Sequence, residues 1–242
     1  MKLPPRRKWV LRLAITVVLG LCLFLAREPI LRACGRMLVV DEQANDNATI
    51  RYIWLIDAAE NFGELGAAYD LAARLCSEDP SRTVLLIEAE RTQLVRAQIV
   101  PSYETVSRRQ LELRGVDGKA VTALDTPMSF WRAVRRLRDW LDQRPEGGVV
   151  AICGRFRSRH HRLVLDRVLA PGQAARVKLI GVSDGRFDET DWWKSRLGAK
   201  EFFAGFSSLA YAWCHGEDTL DPPTWDPDKY EAALLLGRGH KR

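Results

Sequence analysis

The chain has 242 residues, of which 47% are hydrophobic, enough for one α/β domain with a sizeable core and an appendage. Its formal net charge of +6 favours anionic partners such as phosphate groups, acidic glycans or lipid headgroups. The sequence has no zinc-finger spacing, basic zipper or aromatic RNA-binding motif, which argues against nucleic acid as the partner. Its five cysteines are scattered without a C-x-x-C pair, which argues against a disulfide or metal framework.

The N-terminus has the pattern of a membrane anchor. A basic flank over residues 1–8 precedes an apolar run from Trp9 to Ala26, interrupted only by Arg12. With Arg12 near the headgroups, the run approaches the roughly 20 residues that a membrane-spanning helix needs. We predict a single-pass signal anchor over 9–26, in preference to a cleaved leader or a buried soluble helix, because no small-x-small cleavage site follows. The basic flank then predicts a cytoplasmic N-terminus and an extracytoplasmic domain.

Beyond the anchor, short apolar runs alternate with helical patterns. The runs predict strands at residues 50–56, 83–87, 121–124, 149–153 and 177–182. Helical spacing and punctuating residues predict helices between them, at about 63–76, 101–114, 129–141 and 158–169. Such alternation is typical of an α/β domain with a mainly parallel sheet of about five strands and helices on both faces. We divide the remaining chain into a lead-in over 27–49, this domain over 50–214 and a tail over 215–242.

One predicted strand runs directly into a cation-rich helix start. The strand extends from Gly148 to Cys153, and four arginines and two histidines follow by Arg162. In parallel sheets, ligands bind beyond the carboxyl ends of the strands, where helix N-termini point. The candidate ligand-binding residues, as an anion clamp at this edge, are therefore Arg155, Arg157, Arg159 and His160. The alternative is a solvated helix start, and we expect both histidines at the surface.

Acidic residues at the ends of two predicted strands are the candidates for catalysis. Asp57 follows the first strand, and Glu88 and Glu90 follow the second. Carboxylates there can act as bases or hold Mg²⁺. The alternative, which we favour, is that they pair with nearby arginines, so we predict no metal site. The sequence contains no Ser nucleophile elbow, P-loop, HExxH or complete GxGxxG, which argues against hydrolase, NTPase and dehydrogenase classes and assigns no cofactor.

The closing segment is rich in aromatic residues. They include Trp192, Trp193, Phe202, Phe203, Phe206 and Trp213. The tryptophans offer a platform for stacking sugars, but the clustering of all these rings is more simply that of core packing. We therefore expect them to lie inside the domain.

Three segments resemble the YdcF/SanA/ElyC-like family of bacterial envelope proteins, whose common domain is of unknown function. Residues 36–41 resemble its lead-in to the first strand, 149–169 its fourth strand and arginine-rich helix, and 192–213 its closing segment. The resemblance implies a membrane segment followed by a Rossmann-like domain that faces the envelope. It also implies a role in cell-wall or envelope maintenance.

The chain departs from the family pattern at four polar or glycine positions. Asp57–Gly63 replaces a glycine-rich turn, and Glu88–Glu90 replaces a Ser-Gly-Gly turn. The family's histidine falls at Arg157 and its acidic residue in the last helix at Gly205. We therefore expect a divergent member that binds an anionic ligand or an envelope protein partner without full catalytic machinery. The alternative is an enzyme acting on a phosphorylated or nucleotide-linked envelope precursor.

Overall fold

A parallel β-sheet forms the centre of the computed structural model, which describes residues 5–42, 50–56, 62–88, 99, 101–125, 129–183 and 185–215. Its strands within these ranges are β1 (Ile50–Leu55), β2 (Thr83–Glu88), β3 (Val121–Asp125), β4 (Gly148–Gly154) and β5 (Val177–Val182). They are ordered β3-β2-β1-β4-β5, and every neighbouring pair is parallel. This confirms the predicted α/β fold, with each strand beginning and ending within about one residue of its prediction.

Helices connect the strands and cover both faces of the sheet. In the same ranges they are α1 (Pro5–Met37), α2 (Phe62–Glu78), α3 (Tyr103–Glu112), α4 (Phe130–Asp142), α5 (Ser158–Val168), α6 (Pro171–Ala174) and α7 (Arg196–His215). One face packs on α2 and α3 through β1 residues Ile53 and Leu55. The opposite face packs on α4 and α5 through Trp54. β4 is buried along its whole length, as predicted for a strand covered on both faces.

The two central strands define a switch point in the topology. β1 and β4 are hydrogen-bonded neighbours, although the chain passes through β2 and β3 between them. The direction of winding reverses at this pair, which is the Rossmann-like arrangement. In such sheets a crevice opens at the carboxyl ends of the two central strands, so β1 and β4 mark the edge where a ligand is expected.

α1 is a continuous helix that ends on the domain itself. The lead-in over 27–49 is helical as far as Met37. Leu31 and Cys34 pack on a third apolar cluster, and the Trp192 indole donates a hydrogen bond to the Leu31 carbonyl at 3.0 Å. Among the residues that the structure describes, no helix combines the length and apolar character needed to cross a membrane.

The outer edge of β5 is covered by the segment that follows α1. The backbone N–H of Glu42 donates to the Leu179 carbonyl at 3.1 Å, and the Leu179 N–H donates to the Glu42 carboxylate at 3.0 Å. The Arg162 guanidinium donates to the Val177 carbonyl at 3.0 Å and pairs with Glu42 at 3.3 Å. The lead-in is thereby fixed against the sheet.

Candidate functional site

The cation-rich segment forms a tight turn at the carboxyl end of β4. Residues 155–157 make one turn of 3-10 helix, and α5 begins at Ser158. The Ser158 hydroxyl is fully buried, donates to the Arg155 carbonyl and accepts from the Val40 N–H, both at 2.7 Å. These hydrogen bonds join the turn to the lead-in, so the backbone around Arg155 and Arg157 is held in place.

Arg155 is held by acids of the chain itself. Its Nε and Nη2 donate to the two Glu189 carboxylate oxygens at 2.7 and 2.8 Å, and its Nη1 donates to Asp41 at 3.4 Å. The hydrogen bonds from Arg155 lower the pKa of Glu189, and the Glu189 carboxylate raises the pKa of Arg155. An external anion would have to compete with this bidentate pair.

Arg159 also has partners within the chain. Its side chain donates to the carbonyls of Met37 and Val39, each at 3.3 Å, and its backbone N–H donates to Leu38 at 3.0 Å. These carbonyls belong to the end of α1 and the residues just after it. A cation there satisfies terminal carbonyl groups and complements the negative end of the helix dipole. Arg159 therefore joins α1 to the start of α5.

Arg157 and His160 lie where two helix N-termini meet. Arg157 is the half-buried N-cap residue of α5, and the half-buried His160 lies on the first turn. The His160 and His161 rings lie 5.9 and 4.2 Å from the ring of Phe130, the first residue of α4. Phe130 in turn stacks on Trp54 of β1 at 5.9 Å, which brings both helix starts to the switch point.

The expectation that both histidines lie at the surface is wrong for His161. Its side chain is only 2% exposed, because it packs beneath Phe130 on the inner side of α5. The spacing of His161 from the core residues Val164 and Leu165 was the signal for an inward orientation.

The roles predicted for the acidic residues Asp57 and Glu88 stay predictions. Asp57 lies outside the described residues, and Glu88 is described only as the last residue of β2. Within the ranges that the structure describes, no group of histidine, cysteine, aspartate or glutamate side chains is arranged to hold a metal ion. Glu189, which follows β5, and Asp41 are acids that reach Arg155. Because β4 and β5 are neighbours, an acidic run after β5 was the available signal.

The aromatic residues of the closing segment divide into buried and exposed sets. Trp192 is 5% exposed and stacks on Phe202 at 3.7 Å, so core packing is confirmed for this pair. Phe203, Phe206 and Trp213 are 60%, 46% and 76% exposed, so their predicted burial is wrong. They lie outside the buried set of α7, which is Gly198, Glu201, Phe202, Gly205 and Ala212.

The switch-point edge is chemically suited to holding an anion. The starts of α4 and α5 meet there, and Arg157 and His160 supply a cationic and a titratable side chain at the start of α5. In comparisons with models of protein families, with curated proteins and with solved structures, nothing matches this chain. The resemblance to the YdcF/SanA/ElyC-like family stays a prediction.

Proposed function

We propose that this chain is a membrane-anchored envelope protein whose Rossmann-like domain binds an anionic ligand at the switch point, without catalysing a reaction. The observation that supports this most is the contact between Phe130 and the histidine pair, which brings the starts of α4 and α5 together beside β1 and β4. The positive ends of both helix dipoles lie at this end of the sheet, and Arg157 is the N-cap residue of α5.

Binding is favoured over catalysis by the state of the nearby carboxylate. A general base works best with a pKa near the operating pH. The pKa of Glu189 is lowered by its hydrogen bonds from Arg155, so at neutral pH it is a poor proton acceptor. The four departures from the family pattern, Gly205 among them, support the same conclusion.

The anchor is supported by the sequence and by the path of α1. The run from Trp9 to Ala26 is apolar except for Arg12, and a basic flank precedes it. Leu31, where the helix first packs on the domain, is about 7.5 Å further along the helix axis than Ala26. A domain attached in this way would lie directly on the outer surface of the membrane.

A thermal-shift screen of the full chain in a non-ionic detergent tests ligand binding. The panel contains inorganic phosphate, nucleoside diphosphates and nucleotide sugars, each with and without Mg²⁺. A ligand at about 100 times its Kd raises the free energy of unfolding by roughly 2.7 kcal/mol. We expect a hit that weakens in Arg157→Ala and His160→Ala. Arg109→Ala, on the exposed side of α3, is the charge-matched control and should bind normally.

Two results would contradict the proposal. A ligand whose binding is unchanged in both switch-point variants would place the site elsewhere. Turnover that needs Mg²⁺ and is abolished by Asp57→Asn or Glu88→Gln would identify the chain as an enzyme. The anchor has its own test, in which carbonate extraction should leave the full chain with the membranes and release a chain lacking residues 1–26.

A further inference from the structure

A cationic groove lies between the last turns of α1 and the start of α5. It is a shallow groove, widely open to solvent, with a volume of about 710 Å³. Arg32 and Arg36 line it from α1, and Arg159 lines it from α5. Glu28 is the acidic residue in its wall, so the lining residues carry a net charge of +2, three arginines less one glutamate.

The positive charge of this groove is poorly compensated within the chain. Glu28 pairs with Arg32 at 3.4 Å, and both side chains are about half exposed. Within the described part of the chain, Arg36 makes no ion pair and no side-chain hydrogen bond. Arg32 and Arg36 are four residues apart on one helix, a spacing at which like charges destabilise the helix. An anion bound between them would remove that repulsion.

The shape and chemistry of the groove suit a phosphate group on an amphiphilic molecule. Its volume lies in the range of small-ligand sites, roughly 300–1,000 Å³. Guanidinium groups bind phosphate oxygens in bidentate geometry. Ala33 and Met37 provide an apolar wall, and Met37 is 59% exposed. Such a wall accommodates the hydrocarbon part of a lipid next to its headgroup.

The end of the groove at Arg32 lies near the headgroups if the anchor spans the membrane. Arg32 is six residues past Ala26, about 9 Å along the helix axis, and Arg36 is about 15 Å past it. The headgroup layer extends roughly 5–8 Å beyond the hydrocarbon core, so the long side chain of Arg32 can reach back into it, whereas Arg36 lies further out. This step rests on the proposed anchor, whereas the charge and shape of the groove do not.

We propose that this groove is a second anion site that binds a phosphate group. The phosphate belongs either to the headgroup of an anionic lipid or to free inorganic phosphate. Arg32 and Arg36 supply the charge, and Arg159 both lines the groove and fixes its geometry through the carbonyls of Met37 and Val39. Occupation of the groove would hold the domain at a fixed orientation on an anionic surface.

The test titrates the full chain in a non-ionic detergent and follows its Tm. The probes are dihexanoylphosphatidylglycerol, dihexanoylphosphatidylcholine and inorganic phosphate. Arg32→Ala/Arg36→Ala removes the two exposed arginines, and Arg27→Ala removes one from the same helix outside the groove. We expect phosphatidylglycerol to stabilise the wild type and Arg27→Ala, and to bind the double variant about tenfold more weakly or worse.

The comparison between probes identifies the source of the phosphate. Stabilisation by phosphatidylglycerol alone assigns the groove to an anionic headgroup, and stabilisation by inorganic phosphate at similar concentrations assigns it to a free phosphate. Equal binding by the double variant and Arg27→Ala, or no binding of either anionic probe, overturns the proposal. Arg157→Ala should leave this binding unchanged, so a failure here is distinguishable from a failure of the switch-point site.

Discussion

Replacing Glu189 tests whether Arg155 is a structural residue rather than part of a ligand clamp. The two side chains are joined by hydrogen bonds of 2.7 and 2.8 Å, with 18% and 23% of their surfaces exposed. Exposed pairs contribute about 0–1 kcal/mol, and breaking a buried pair costs about 3–5 kcal/mol. Because the Arg155–Glu189 pair is partly buried, we expect a cost between these two ranges. Glu189→Ala should lower the free energy of unfolding by about 2 kcal/mol.

A double-mutant cycle in urea, followed by tryptophan fluorescence, measures the interaction itself. We expect a coupling energy of about 1 kcal/mol or more between Arg155→Ala and Glu189→Ala. Asp41→Asn is the matched control, because Asp41 is 55% exposed and lies 3.4 Å from the same guanidinium. It should change stability by less than about 0.5 kcal/mol. A Glu189 coupling as small as that of Asp41 would refute the structural role.

The same pair predicts the acid dependence of stability. The pKa of Glu189 is lowered in the folded protein, so the unfolded chain binds a proton at this carboxylate more readily. Its contribution is therefore complete above the unfolded pKa of about 4.3 and is lost as the pH falls through the folded pKa. Glu189→Ala should flatten the stability profile in that acidic window. An unchanged profile would show that other carboxylates set it.

Three further changes test the packing of the domain. Gly35→Ala would place a Cβ 2.5 Å from the Glu189 carbonyl and 2.9 Å from the Trp192 ring, and should lower stability by about 1–3 kcal/mol. Gly66→Ala meets nothing within 4 Å in α2 and should be neutral or up to about 1 kcal/mol stabilising. Ser107→Ala leaves the buried Tyr69 hydroxyl without its hydrogen-bond partner at 2.8 Å. It should lower the free energy of unfolding in urea by about 1–3 kcal/mol. No change would show that water replaces the serine hydroxyl.

The strands and domain helices were predictable because their ends are marked in the sequence. Pro80 precedes β2, Pro101 precedes α3, and a pair of glycines begins β4. The end of α1 was not predictable in this way. Arg27 and Glu28 end the apolar run, but the helix continues to Met37 because its last turns pack on Trp192, a residue far away in the sequence.

The candidate site was predictable in location but not in its partners. A strand running into a cation-rich helix start placed Arg155, Arg157 and His160 at the carboxyl edge of the sheet. Their individual roles depend on long-range contacts that have no periodic signature. Glu189 is 34 residues from Arg155 in the sequence. To predict that these two residues pair, one must already know that β5 lies beside β4. The run of charged residues after β4 predicts a positive field at this edge of the sheet. It does not show which arginines are already paired with acids of the chain.

The covered edge of β5 limits how this protein can assemble. An open edge strand offers unpaired N–H and carbonyl groups on which another chain can extend the sheet. Here Leu179 is paired with Glu42, and the Val177 carbonyl is bonded to Arg162. A second copy would have to break these bonds before adding a strand. Crowding of many copies in a confined space should therefore favour contacts through helical surfaces over growth of cross-β aggregates from this edge.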